Sequence, residues 1–413
     1  MRIHYLLFVG LLVSCSSPKN PEYTAFINAT LIDGSGSAPV ENAVLVIKDH
    51  HIVSVGTGDA SEYSNVIDLK GKFIIPGLIN SHAHVGGEKA LQNLELCARY
   101  GVTTVVSLGG ETKENELLRD IHDSTNTTHA RLYMAGEVIT GETYADAAEM
   151  IDLNAVIGVD WMKIRVDDNL GTSTKMSEET YTGVIGRSHN LGFKIATHMY
   201  YLDDAKKLLV AGSDLMAHSV RDLPVDQAFI DLIKEKKACY CPTLTRELST
   251  FVYGSTPGFF SDPFFTKEYD SAVTAPLKDP ARQEQVRGSK SAQTYQRQLP
   301  VAMANLKTLS DAGVPIAFGT DSGIPTRFLG YFEHIELAMM AEAGMSPMKI
   351  IVSATKDAAK CMGLREVGQL AKGYKADFIV LNADPLADIK NTRKIESVWL
   401  GGKKVNMSSR EDL

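Results

Sequence analysis

Apolar and polar positions alternate in short runs at both ends of the chain and in longer, blockwise fashion between them. Near the N-terminus, Tyr23-Thr-Ala-Phe-Ile-Asn-Ala-Thr-Leu-Ile, Ala43-Val-Leu-Val-Ile and His51-Ile-Val-Ser-Val are separated by Gly34-Ser-Gly-Ser and Lys48-Asp-His-His. That is a strand–turn–strand rhythm with the usual breakers. Ala376-Asp-Phe-Ile-Val-Leu and Ser397-Val-Trp-Leu-Gly-Gly-Lys-Lys-Val repeat it near the C-terminus. The two ends are predicted to combine into one small antiparallel β-sandwich, spanning 23–75 and 366–407.

Between the ends, apolar strand-like runs alternate with helical patterns. Thr103-Thr-Val-Val-Ser precedes a polar helix near 111–124, and Ala130-Arg-Leu-Tyr-Met precedes Ala145-Asp-Ala-Ala-Glu-Met-Ile. Trp161-Met-Lys-Ile precedes a helix with Ser177 as its N-cap. Lys194-Ile-Ala-Thr-His, Leu215-Met-Ala-His, Ala238-Cys-Tyr-Cys and Pro315-Ile-Ala-Phe-Gly-Thr-Asp continue the series, the last two as seventh and eighth strands. The pattern predicts an α/β protein: a (β/α)8 TIM-like barrel over 76–365 beside the sandwich. Residues 246–300 break the rhythm with many Gly, Pro, Ser, Thr and aromatic residues. An insertion there enters on the active-site face, as a lid or as a surface excursion, and its part from 281 reads as helix.

At 413 residues the chain accommodates one barrel and a smaller domain. The net charge of −8, without a basic cluster, argues against nucleic acid as a partner. The first 22 residues read as targeting and tether. Arg2 is followed by the apolar stretch Tyr5–Val13, too short to span a bilayer, and then Leu12-Val13-Ser14-Cys15. This resembles a bacterial lipobox, which implies a lipidated Cys15, a membrane anchor and a periplasmic or extracellular location. Of the other four cysteines, Cys239 and Cys241 are too close on one strand to bridge each other, and Cys97 and Cys361 read as packed helical residues. No disulfide framework is expected.

Candidate chemistry gathers at the ends of the predicted strands. His82 and His84 in Pro76-Gly-Leu-Ile-Asn-Ser-His-Ala-His share a strand face, since side chains alternate. Lys163, His198, His218 and Asp321 each end or follow an apolar run, where barrel active sites lie. Neutral imidazoles suit zinc and similar divalent ions. Softer candidates for substrate contact are Tyr200, two residues beyond His198; Arg165, two beyond Lys163; and Arg246, whose guanidinium fork could grip a carboxylate. His334 reads as structural, and His122, His129 and His189 receive no role.

The chain resembles the amidohydrolase superfamily, in particular its branch of imidazolonepropionase-related hydrolases and Xaa-Pro dipeptidases. The resemblance rests on the Pro-Gly-Leu-Ile-Asn-Ser-His-Ala-His opening, the interior lysine, the two single histidines and Gly319-Thr-Asp-Ser. It rests also on Ala354-Thr-Lys-Asp-Ala-Ala-Lys, Gly363-Leu-Arg-Glu-Val-Gly-Gln-Leu and Gly373-Tyr-Lys-Ala-Asp-Phe-Ile-Val-Leu. It implies two divalent metal ions, zinc, held by His82, His84 and Asp321 on one side and His198 and His218 on the other. Carbamylated Lys163 would bridge them, a shared hydroxide would attack a carbonyl, and Asp321 would move the proton. The implied activity is cleavage of an amide or peptide-type C–N bond in a small-molecule substrate. The loop Gly136-Glu-Val-Ile-Thr-Gly-Glu-Thr-Tyr departs from the Gly-Gly-His-type loop of the dipeptidase branch. Alternatives are a mononuclear cyclic-amide hydrolase, deaminase or lactonase of the same superfamily, and an inactive lipid-anchored binding protein. The sequence also leaves room for a homo-oligomer.

Overall fold

The structure, a computed structural model, describes residues 20–121 and 129–408. The expected leader and tether at 1–19, with Cys15, and also His122, lie outside the described residues. Among the described residues, no helix is long and apolar enough to cross a membrane.

Both chain ends build one sheet. Strands β1 (Asn20–Leu31), β2 (Val40–Lys48), β3 (His51–Gly56), β4 (Tyr63–Asp68) and β5 (Phe73–Pro76) come from the N-terminal part. The central part begins with β6 (Leu78–Ala83), β7 (Val102–Ser107) and β8 (Arg131–Met134). Then follow β9 (Trp161–Arg165), β10 (Lys194–His198), β11 (Leu215–Ala217) and β12 (Cys239–Cys241). The C-terminal part adds β13 (Phe378–Leu381), β14 (Ile395–Leu400) and β15 (Lys403–Lys404). In the end sheet the order is β15-β14-β13-β5-β1-β2-β3, with β4 also on β1. The expected antiparallel sandwich is therefore a mixed sheet. β1 pairs antiparallel with β2 but parallel with β4 and β5, because the long β1 serves different partners along its length. Its core is Phe26, Leu45, Ile74 and Phe378, with Trp399 stacked on Phe378 at 5.6 Å.

The central part is TIM-barrel-like. Two parallel sheets, β6-β7-β8 and β9 to β12, carry helices in alternation with their strands. Parallel bridges Ile139–Ile164, Tyr240–Ile316 and Ala83–Ser322 connect their margins. The expected eighth strand, 315–321, forms the bridge to Tyr240, and Ser322 just past it the bridge to Ala83, rather than a regular ladder. Its end bends sharply, since Asp321 has φ +58° and the amides of both Thr320 and Asp321 donate to the His82 carbonyl. Alternation of apolar strands with amphipathic helices drives burial of the helix faces against the strands, and Leu208, Leu209, Phe229 and Ile233 lie in one apolar core with Met162 and Ile195. Ser177 caps its helix as expected, its hydroxyl accepting from the Thr180 amide.

The insertion is an ordered cover of short helices. Phe260, Phe265, Phe328, Tyr331 and Phe332 form an aromatic cluster that joins it to the loop after residue 321. Tyr269 donates to the Leu329 carbonyl at 2.8 Å, and Arg99 pairs with Glu268 through two hydrogen bonds of 2.9 Å. Aromatic burial of this kind is worth several kcal/mol per ring lost, about 3–5, so this region is held by packing on the barrel body.

Contrary to the sequence expectation, Cys239 and Cys361 form a disulfide across a separation of 122 residues. The helix bearing Cys361 (Ala358–Met362) packs where Cys239 begins β12, with Cα atoms 5.9 Å apart. Cys97 and Cys241 are free and buried.

Candidate metal centre

The candidate donors sit in or just past the parallel strands, Asp321 at the end of the bridged segment 315–321. His82 is in β6 and His84 two residues on. Lys163 lies in β9, His198 ends β10 and His218 follows β11. Backbone geometry aims two of them: His218 has φ +87° and Asp321 φ +58°, left-handed conformations that non-glycine residues adopt at a cost of about 1–3 kcal/mol.

The structure brings the set together. His84 Nε2 stands 2.8 Å and His82 Nε2 3.3 Å from Asp321 Oδ1. Lys163 Nζ lies 3.2 Å from His82 Nε2. The His82 and His218 rings are 4.7 Å apart, and the His218 and His198 rings 4.2 Å. One potential ligand atom from each of His82, His218 and Asp321 lies within 4.8 Å of the others.

Neighbouring groups orient these donors. His84 Nδ1 is 3.0 Å from the Gly109 carbonyl and His218 Nδ1 is 2.7 Å from Thr243 Oγ1. Each contact fixes one nitrogen and turns Nε2 toward the cluster. His198 Nε2 is 3.0 Å from Asp167 Oδ2, a residue the sequence reading did not single out. Three buried carboxylates knit the loops. Glu111 accepts from the Ala135 and Gly136 amides, Glu333 from Asn80 and Ser322, and Glu336 from the Leu244 and Thr245 amides.

Electrostatics favour a metal. Burial, with the Lys163 charge and other neighbours, pushes His82 and His218 well below the usual imidazole range, and pushes His198 down to about 3. All three are neutral, the form that ligates. Burial also lowers Lys163 to about 8. Burial alone would raise Asp321, but Arg327, His82 and His84 override it and hold the carboxyl well below its usual value. Neutral imidazoles and a carboxylate converging in a buried space fit a divalent ion. His82 Nδ1 is buried without a hydrogen-bond partner.

The softer candidates fall beside the cluster. β10 stops at His198, so Tyr200 does not share its strand face as expected; its ring instead lies under the Arg221 guanidinium at 4.6 Å. Arg165, at the end of β9, bonds the Asn169 side chain and lies 3.6 Å from Asp167. Arg246 is buried on the helix Leu244–Ser249 and pairs with Glu247 at 3.1 Å. His334 is structural, its nitrogens at 3.1 Å from Thr392 Oγ1 and 2.8 Å from the Tyr100 carbonyl. Asp167, Arg221, Glu247 and Arg327 were missed. Their shared signal is a charged residue within a few positions of a strand's C-terminal end.

This fold, with histidines, a lysine and an aspartate converging at strand ends, defines a metal-dependent hydrolase. The chain belongs to the amidohydrolase family, whose model matches residues 88–405, and acts as a hydrolase on C–N bonds. It is 22% identical over 388 residues to a 5-methylthioadenosine/S-adenosylhomocysteine deaminase of Bacillus cereus, covering 87% of this chain and 85% of that protein. It is 24% identical to a protein of the same description from Bacillus cytotoxicus, with the same coverages. Among solved structures it is similar to a Xaa-Pro dipeptidase with methionine bound in the active site, at TM-score 0.76 and 21% identity, over 92% of this chain and 99% of that one. It is also similar to molinate hydrolase, at TM-score 0.71 and 22% identity, over 94% and 95% of the two chains.

Proposed function

We propose that the protein is a binuclear metal-dependent hydrolase of amide or peptide-type bonds in small molecules. The observation that carries this reading is the convergence of Asp321, His82, His84 and Lys163 within 3.3 Å contacts at the strand ends. His82, His84 and Asp321 would hold one ion, His198 and His218 the second, and Lys163 would join the two. Carbon dioxide would add to the neutral Lys163 amine, forming an N–C bond with loss of one proton, and the carbamate then offers two oxygens. Divalent ions bound here would polarise a carbonyl and ease deprotonation of water.

Asp321 would take the proton of the attacking water and return it to the leaving nitrogen, general base then general acid. Arg327 touches Asp321 Oδ2 and fixes the carboxylate's orientation. His84, held by the Gly109 carbonyl, keeps Oδ1 in line. A deaminase reading, suggested by the names of the curated relatives, is less well supported. No glutamate follows His198 or His218 within three residues, and Lys163 fits the bridging role.

We also propose that Cys15 is lipidated and tethers the catalytic body to a membrane, from the short apolar run ending in Leu-Val-Ser-Cys. Replacement of Cys15 by Ala should abolish fatty-acid labelling.

The functional reading is tested with protein purified from zinc- and bicarbonate-supplemented cells, assayed against dipeptides, N-acyl amino acids, lactones and adenosine derivatives. Release of an amine from an acyl compound, lost in Lys163→Ala together with metal, supports it. Ammonia release from a purine with one metal per chain would overturn it.

A further inference from the structure

A helix that carries none of the candidate donors reaches the metal centre from outside. Helix Tyr331–Glu342 holds Glu336 fully buried, with its carboxylate against the start of the helix Leu244–Ser249. Oε1 accepts from the Leu244 amide at 2.8 Å and Oε2 from the Thr245 amide at 2.7 Å. The Thr245 hydroxyl lies 2.7 Å from Oε2 and 3.0 Å from the carbonyl of Thr320, the residue before Asp321. Glu336 thus grips the segment that follows β12 and, through Thr245, the segment that leads into Asp321.

The N-cap of the short helix is Thr243. A threonine in that place ordinarily has extended backbone, and its hydroxyl turns back to accept from an amide of the first turn. Here Thr243 is left-handed, with φ +45°, and among the described residues its hydroxyl accepts from no amide of the helix. It lies instead 2.7 Å from His218 Nδ1. The first amides of a helix have no acceptor within it, and Glu336 takes the Leu244 and Thr245 pair from 92 positions beyond Leu244. Two acceptors have exchanged tasks: the distant carboxylate caps the helix, and the cap residue serves the histidine.

One hydroxyl cannot do both. Leu244 and Thr245 are fully buried, so without Glu336 their amides would lack an acceptor, which is costly. The adjacent relief is the Thr243 hydroxyl, rotated back to the helix. His218 Nδ1 would then lose its partner, and an imidazole whose outer nitrogen is no longer held aims its other nitrogen less well.

We propose that Glu336 is a positioning residue of the metal centre: by capping the helix Leu244–Ser249 it releases the Thr243 hydroxyl to orient His218. Glu336 touches neither metal nor substrate in this scheme. Its role rests on the reading of His218 as a metal ligand and adds a residue outside the donor set.

The test measures zinc binding, which needs no substrate. Metal-free full-length protein is titrated with zinc in bicarbonate buffer against a chromophoric chelator. Glu336→Met should weaken the more affected zinc by up to about 100-fold, and Glu336→Gln, which keeps one acceptor oxygen, by about tenfold, the range for loss of a partner behind a ligand. Thr243→Val removes the hydroxyl at nearly unchanged shape and should weaken zinc by about 10–100-fold. Thr243→Ser should bind it as the native protein does. The double variant Glu336→Gln with Thr243→Val decides the matter. If Glu336 acts through Thr243, the pair binds zinc no more weakly than Thr243→Val alone, whereas a merely structural glutamate would give losses that multiply. Should Glu336→Met not fold, the cycle stands on the Gln variant. Multiplying losses, or native zinc affinity in either Glu336→Gln or Thr243→Val, would overturn the proposal. Uptake of a single zinc by the native protein would contradict the binuclear reading, and the same cycle read on that ion would still decide the role of Glu336.

Discussion

The guanidinium of Arg327 pairs with Asp321, reaching Oδ2 while Oδ1 faces the two histidines of β6 and its end. Arg327 also donates to Ser249 Oγ at 2.9 Å, so the loop after Asp321 and the helix Leu244–Ser249 that follows β12 are tied through one side chain. The pair makes the orientation of Asp321 depend on a residue six positions away. Arg327→Met is predicted to lower kcat about tenfold with little change in KM or metal content, and Arg327→Lys to recover part of it, as expected for loss of one charge-assisted contact of about 1.4 kcal/mol. An unchanged kcat would mean that Asp321 is oriented without it.

Asp321 carries more. Asp321→Asn preserves shape but removes the proton acceptor. Turnover should fall by about 10²–10⁴-fold, the usual worth of general acid–base help, while metal analysis finds most of the ion retained. A variant with nearly native kcat would assign the proton to another group.

The Cys239–Cys361 bridge ties β12 to the helix Ala358–Met362 across 122 residues. Removing it by paired substitution to Ser should destabilise the fold by about 2–4 kcal/mol in denaturant titrations. Thiol counting on unfolded, unreduced protein should label Cys97 and Cys241 and spare Cys239 and Cys361. Labelling of all four would remove the bridge from this account.

Lys267 lies over the rings of Tyr100 and Phe264, at 4.3 and 4.4 Å, and burial lowers its ammonium to about 8 from 10.5. Between those values the unfolded chain binds more protons than the folded one. Stability should therefore rise with pH through this window, with the cost of burying the charge fully present below about pH 8. Urea midpoints measured from pH 7.5 upward should climb in the native protein relative to Lys267→Met. Parallel pH profiles for the two would show that Lys267 stays charged and solvated.

The strand ends were legible in the sequence because their donors follow apolar runs and belong to a recognisable pattern. His82, His84, Lys163, His198, His218 and Asp321 all meet in space. Less legible were residues whose role depends on neighbours distant in sequence. Asp167, Arg221 and Glu247 read as ordinary surface charges until burial is known. The same holds for Glu333 and Glu336, which look like solvent-facing positions on the helix Tyr331–Glu342 but are fully buried. Cys361 gave no hint of Cys239, since packed cysteines on helices are common and pairing is a tertiary fact. Tyr63–Asp68 was missed as a strand because Ser-Asn-Val-Ile-Asp shows no clean alternation and its pairing is with the distant β1. The expected eighth strand failed as a ladder because its end bends to deliver Asp321.

The proposed chemistry depends throughout on the metal centre. Its most direct measurement is anomalous diffraction at the zinc edge from crystals grown with zinc and bicarbonate. Two peaks about 3.5–4 Å apart, flanked by His82, His84 and Asp321 on one side and His198 and His218 on the other, with density continuing from Lys163 Nζ between them, are predicted. A single peak beside an unmodified Lys163, or none among these residues, would contradict it.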